Sequence, residues 1–151
     1  MSKTIAALSD THGVLRPEVV QGIMGCDAII HAGDFADGDV LSDLEAIAPL
    51  YAVQGNNDWE LAGKLPESLV FTIEDCKFFL IHNKYYVPKD LAGIDGVIFG
   101  HSHQFFQEEI DGRLWLNPGS CGRPRFNYGL SYVIMQVDGK DISIKRVNVP
   151  I

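Results

Sequence analysis

The stretch KTIAALSDTHG (residues 3–13) decides how the rest of the chain is read. Lys3 to Ser9 is apolar and β-rich and runs directly into Asp10-Thr11-His12-Gly13. Arg16-Pro17-Glu18 then opens a short amphipathic segment with proline where a first helical turn accepts it. The pattern is strand, loop, helix, and it recurs. Asp27 to His31 reads as a buried strand, Gly33-Asp34 as its turn, and Asp39 to Ala48 as a helix with Val40, Leu41, Leu44 and Ile47 on one face. Leu50 to Gln54 begins a third unit that ends in Gly55-Asn56-Asn57-Asp58. Each loop follows the carboxyl end of a strand, where open α/β sheets place their ligands.

The second half changes character. Ser68 to Glu74 and Lys77 to His82 read as paired strands, while Asp111-Gly112 and Asp138-Gly139 sit between alternating runs as hairpin turns, so antiparallel pairing is expected to dominate. Gly96 to Gly100 reads as a buried strand that delivers His101-Ser102-His103 at its end. No linker or internal repeat interrupts the pattern, and 151 residues with 46% hydrophobic and 21% charged side chains fit a single globular domain, 1–151.

Charge and cysteines narrow the function. Twelve basic against twenty acidic side chains give a net charge of −8, which disfavours non-specific nucleic-acid binding. The apolar run Ile5 to Leu8 is too short for a signal or membrane segment, so a cytoplasmic protein without membrane attachment is expected. Cys26, Cys76 and Cys121 are odd in number and form no CxxC pair, as expected of free thiols in a reducing compartment.

Asp10 and His12 are one residue apart, as are His101 and His103, and in extended chain such pairs point to the same side. With Asp34, Asn56 and His82 they make seven polar groups at strand ends. Imidazole nitrogen mixed with carboxylate and amide oxygen suits Mn, Fe, Co, Ni or Zn and suits an all-oxygen Ca or Mg site poorly. Seven ligands exceed one ion's needs. Two divalent ions about 3.5–4 Å apart, sharing Asp34 and a hydroxide nucleophile, would use them all. Such a centre carries a surplus positive charge inside an acidic protein and attracts a phosphate oxygen.

Asp10-x-His12, Gly33-Asp34, Gly55-Asn56-x-Asp58, His82 after an apolar strand, and Gly100-His101-x-His103 resemble, in order, the motifs of the calcineurin-like metallophosphoesterases. Asn117-Pro118-Gly119-Ser120 followed by Pro124-Arg125 narrows the resemblance to the small YfcE-like phosphodiesterase group. The resemblance spans nearly the whole chain. It implies a four-layer αββα sandwich of two mixed β-sheets. It assigns one metal to Asp10, His12, Asp34 and His103, and the other to Asp34, Asn56, His82 and His101, with catalytic roles for Asp34, Asn56 and His101. Manganese is the expected ion, with Ni, Fe, Co and Zn compatible with the same donors. The expected partner is a small phosphate-ester substrate, and a homo-oligomer is compatible with the sequence.

Other residues are weighed against plainer roles. His31 lies three positions before Asp34, on the opposite face of a strand, and is expected to be structural. Asp37, Asp39 and Asp58 suit caps and turns, with Asp58 placed to orient a ligand. Arg123 and Arg125 have the planar forks that clamp phosphate, while Tyr85, Tyr86 and Trp59 flank site loops. Two departures from the family pattern matter. Asn57 stands where larger relatives carry a histidine that protonates the leaving group, and an amide cannot do so. Asn83 replaces the usual glycine after His82, and the short segment before His101 leaves room for about one helical turn, expected near Pro88 to Gly93. The rival reading is a non-catalytic binding scaffold of the same fold, like the superfamily's retromer subunit, which has lost metal-ligand residues.

Overall fold

In the computed structural model, residues 2–56, 58, 61, 63–123 and 129–150 are described. The first sheet contains β1 (Ser2–Leu8), β2 (Ala28–His31) and β3 (Leu50–Ala52), joined by α1 (Pro17–Ile23) and α2 (Gly38–Glu45). The second contains β4 (Ser68–Ile73), β5 (Cys76–Ile81), β6 (Gly96–Ile98), β7 (Phe106–Ile110) and β8 (Arg113–Asn117). The hairpin β9 (Leu130–Asp138) and β10 (Asp141–Val149) returns to the first sheet, with β9 antiparallel to β1. The sheet orders are β10-β9-β1-β2-β3 and β4-β5-β6-β8-β7, and both sheets are mixed.

β1, β2 and β3 are parallel, and so are β5, β6 and β8. This parallel arrangement positions the site, because carboxyl ends gather at one edge of each sheet. The middle strand β1 is buried from Ile5 to Leu8, as expected of a parallel strand covered on both faces.

Three apolar clusters account for the layers. Val19, Ile23, Val40, Leu41 and Leu44 of the helices pack with Ala6, Leu8 and Ile29 on the outer face of the first sheet. Ile5, Ile30, Phe78, Leu80, Ile98 and Met135 fill the space between the sheets. On the far face of the second sheet, Phe79, Ile81, Val97 and Phe99 are covered by Val87, Leu91 and Ile94. That covering segment contains one 3-10 turn, Lys84–Tyr86, so the helix expected near Pro88 to Gly93 is replaced by a turn earlier in the chain. Asn83 explains the shift, since its side chain accepts from Tyr85 N at 3.0 Å and starts the turn there.

The Asp111-Gly112 hairpin is borne out, with Ile110 paired to Arg113. The later hairpin turns on Gly139-Lys140, one residue beyond the expected Asp138-Gly139, because Asp138 still pairs with Asp141. Among the described residues no helix is long and apolar enough to cross a membrane, and Cys26, Cys76 and Cys121 are free thiols.

Candidate metal centre

The i, i+2 reading of Asp10-x-His12 and His101-x-His103 is corrected by the backbone. β1 stops at Leu8, and Asp10, His12, Asp34, His101 and His103 have φ of 55°, 48°, 65°, 74° and 63°. These are left-handed conformations, each costing a non-glycine residue on the order of 1–2 kcal/mol. The side chains therefore converge through tight turns instead of strand alternation. Contacts between loops hold the turns: Asp10 N donates to Gly33 O at 3.0 Å and His12 N to Asp34 O at 2.9 Å.

Asp10, His12, Asp34 and His103 each offer a ligand atom, and the four atoms lie within 4.8 Å of one another. His12 Nε2 is 3.0 Å from His103 Nε2 and 3.6 Å from Asp34 Oδ2, while His103 Nε2 is 3.5 Å from Asp10 Oδ1. Donors bound at about 2.1 Å to one ion are separated by about 3.0–4.2 Å, and these three separations fall in that range. Asp10 Oδ1 gives an independent test: it is buried and accepts no hydrogen bond among the described residues. An orphaned buried carboxylate oxygen facing two imidazoles is the atom that a cation would satisfy.

His82 and His101 stand on the other side of Asp34. His82 Nε2 is 3.3 Å from Asp34 Oδ2, and His101 Nδ1 is 3.3 Å from His82 Nε2. His82 Nδ1 lies 2.8 Å from Ala32 O and donates its proton there, which leaves Nε2 with a lone pair toward the site. Asn56 is exposed and borders the same hollow as His82. The described set thus brings together Asp10, His12, Asp34, His82, His101 and His103, with Asn56 on the adjoining wall.

The field is negative. His12 is raised above the ordinary histidine value, first by the adjacent Asp10 carboxylate and then, against burial, by Asp34. For His82 burial is the largest effect and opposes charging, yet Asp34 and Asp10 together raise it. Groups that attract a proton this way also attract a metal cation.

The supporting residues are less visible in the sequence. Buried Asp58 accepts from Asp34 N at 2.7 Å, Gly55 N at 2.8 Å and Ala36 N at 2.7 Å, fixing the Asp34 loop to the Gly55 loop. Ser9 Oγ donates to Asp10 Oδ2 at 2.7 Å, and His101 N donates to the same oxygen at 3.2 Å, which turns Oδ1 toward the histidines. Asn117 Nδ2 donates to Gly100 O and lies 3.1 Å from Ser102 Oγ, tying the end of β8 to the histidine loop. A Cβ on Gly100 would run into Ser9 Oγ, and one on Gly55 into Asp34, so these glycines allow the loops to approach.

His31 is structural, as expected. Its Nδ1 accepts from Gly33 N at 3.0 Å, its Nε2 donates to Thr11 Oγ1 at 3.1 Å, and it stacks on Phe35 at 3.7 Å. Burial holds it neutral, with its pKa lowered to about 4. Asp37 caps α2 by accepting from Asp39 N. Arg123 is exposed and donates from Nε to His12 O at 3.2 Å. Tyr85 and Tyr86 are exposed beside the site. Asn57, Trp59, Pro124 and Arg125 lie outside the described residues.

Two mixed sheets that present an Asp/His cluster at their carboxyl ends define a metal-binding α/β protein of the metallophosphoesterase type. The chain belongs to the calcineurin-like phosphoesterase superfamily, whose domain matches residues 4–140. It is 36% identical to a probable metallophosphoesterase of Methanothermobacter thermautotrophicus, covering 97% of this chain and 94% of that protein. It is 34% identical to a phosphodiesterase of Methanocaldococcus jannaschii, over 78% of this chain and 83% of the relative. The fold resembles YfcE, a phosphoesterase from E. coli, with a TM-score of 0.73, 23% identity, and coverage of 97% and 100%. Vps29 of Chaetomium thermophilum shares the fold as well, with a TM-score of 0.78, 17% identity, and coverage of 96% and 97%.

Proposed function

We propose that the chain, read as one domain, is a phosphodiesterase that uses two divalent transition-metal ions, manganese first among them, on a small phosphate diester. Asp10, His12, Asp34 and His103 would hold one ion, and Asp34, Asn56, His82 and His101 the other. The single observation that carries the reading is the position of Asp34 Oδ2, 3.6 Å from His12 Nε2 on one side and 3.3 Å from His82 Nε2 on the other. One carboxylate oxygen between two histidine groups is what a shared ligand requires. When bound, the ions supply positive charge against the phosphoryl oxygens and a water acidic enough to act as nucleophile near neutral pH.

The chain's own groups prepare that chemistry. His82 presents Nε2 because Ala32 O takes the proton on Nδ1. Asp10 presents Oδ1 because Ser9 and the His101 amide occupy Oδ2. Asp58, itself buried, keeps the Asp34 loop in register. The phosphodiesterase relative of M. jannaschii supports a diester over a monoester. The free thiols support a cytoplasmic location.

The scaffold reading rests on a fold shared with Vps29, and a binding scaffold has no need of seven ligand positions all filled. Metal content by mass spectrometry, together with hydrolysis of bis-p-nitrophenyl phosphate, separates the two. Bound metal and turnover are expected; a metal-free, inactive protein would favour the scaffold.

A further inference from the structure

A hollow of about 330 Å³ opens beside His82 and Asn56, walled by Gln54, Glu67, Asn83 and Tyr86. It reaches the size of small-ligand sites, roughly 300–1,000 Å³, whereas the neighbouring hollow beside His101 is smaller at about 210 Å³. Tyr86 is 75% exposed on its rim, a large flat ring with little protein over it. The backbone that carries the ring is held in place: Asn83 accepts from Tyr85 N at 3.0 Å through its side chain and from Tyr86 N at 3.1 Å through its carbonyl. The departure from glycine at Asn83 therefore anchors the turn that brings Tyr86 into the wall of the hollow that His82 and Asn56 also line.

We propose that this hollow binds the nucleoside arm of a phosphodiester, with the base stacked on Tyr86 and its polar edge read by Gln54 and Glu67. The proposal rests on the phosphodiesterase reading above. Because His82 and Asn56 line it and are also proposed metal ligands, the hollow adjoins the place where the ions would hold the phosphate. A base supplies both the flat face that tyrosine stacks against and the N–H groups that a carboxylate accepts. Glu67 also repels a second phosphate, so a nucleoside monophosphate ester fits better than a polyphosphate.

The test compares thymidine 5′-(p-nitrophenyl phosphate) with methyl p-nitrophenyl phosphate, which share a leaving group and differ only in the retained arm, using manganese-loaded protein. Isothermal titration with thymidine 5′-monophosphate provides a readout independent of turnover. The expected ratio of kcat/KM, nucleoside over methyl, is about 10 or more. Tyr86→Ala should bring that ratio down toward 1 and weaken monophosphate binding by roughly 5- to 150-fold, the range for loss of one aromatic stacking partner. Tyr86→Phe should restore both. Equal kcat/KM for the two esters, or a ratio unchanged in Tyr86→Ala, would overturn the nucleoside pocket and leave the phosphodiesterase reading standing. Cleavage of neither ester would remove the phosphodiesterase reading. Tyr86-dependent binding of the monophosphate would then still support a nucleotide pocket, and absence of binding would overturn it.

Discussion

Asp58→Asn should destabilise the protein and loosen the metal centre together. In the native protein Oδ2 accepts from Asp34 N and Gly55 N, while Oδ1 accepts from Ala36 N. An amide has one acceptor, so it would turn its oxygen toward the two donors and face Ala36 N–H with its own NH2. One hydrogen bond to a charged group is lost, about 1.5–3 kcal/mol, and the other two lose their charge assistance. A domain of this size shifts by about 2–4 °C per kcal/mol, so Tm should fall by about 3–12 °C. Asp58→Ala strands all three donors and should cost about 5 kcal/mol or more, a large part of a total near 5–15 kcal/mol. Because these bonds fix Asp34, metal affinity should also fall about 10- to 100-fold in the asparagine variant. Calorimetric melting and a manganese titration measure the two effects. A Tm within about 1 °C of the parent with unchanged metal affinity would refute the clamp.

Four further outcomes follow from the same geometry. Asp34→Asn should abolish turnover with the fold intact, because asparagine tolerates the φ of 65° while the shared charge is lost; activity with two bound ions would contradict it. His31 titrates near 6.5 when unfolded and at about 4 when folded, so its stabilising contribution is complete above pH 6.5 and is lost as pH falls toward 4. This amounts to on the order of 3 kcal/mol, and urea midpoints at pH 7, 5.5 and 4 should show a flatter acid limb in His31→Gln. Mn²⁺ or Ni²⁺ should restore activity after chelation and Ca²⁺ should not, since four of the seven proposed ligands are imidazoles; full rescue by Ca²⁺ would contradict the ligand set. Asn57 cannot protonate a leaving group, so rates should depend steeply on leaving-group pKa and less steeply in Asn57→His; a flat dependence in the parent would show another proton donor.

Much of the architecture was legible because periodicity and punctuation agreed. Apolar strands ending in Gly-Asp, Gly-Asn and Gly-His marked the carboxyl ends, and Pro17 marked the start of α1. Seven ligand candidates were legible by type and place, but the way they converge was not. The left-handed conformations of Asp10 and His12 fall on non-glycine residues, and contacts with a loop far away in the chain hold them. The return of β9 beside β1 was hidden for a similar reason, since it depends on which sheet edge is open. Asp58 read as a cap or turn residue placed to orient a ligand, and its three backbone partners on two loops appear only once the loops meet. Asn83 looked like a loss from the family pattern, and in the fold it starts the turn that carries Tyr86.

The central claim is a two-ion centre shared through Asp34, and metal stoichiometry coupled to turnover tests it most directly. Chelated protein titrated with Mn²⁺ should gain bis-p-nitrophenyl phosphate hydrolysis that saturates at two ions per chain. Saturation at one ion would contradict the shared centre, and no hydrolysis at any manganese concentration would contradict the enzyme itself.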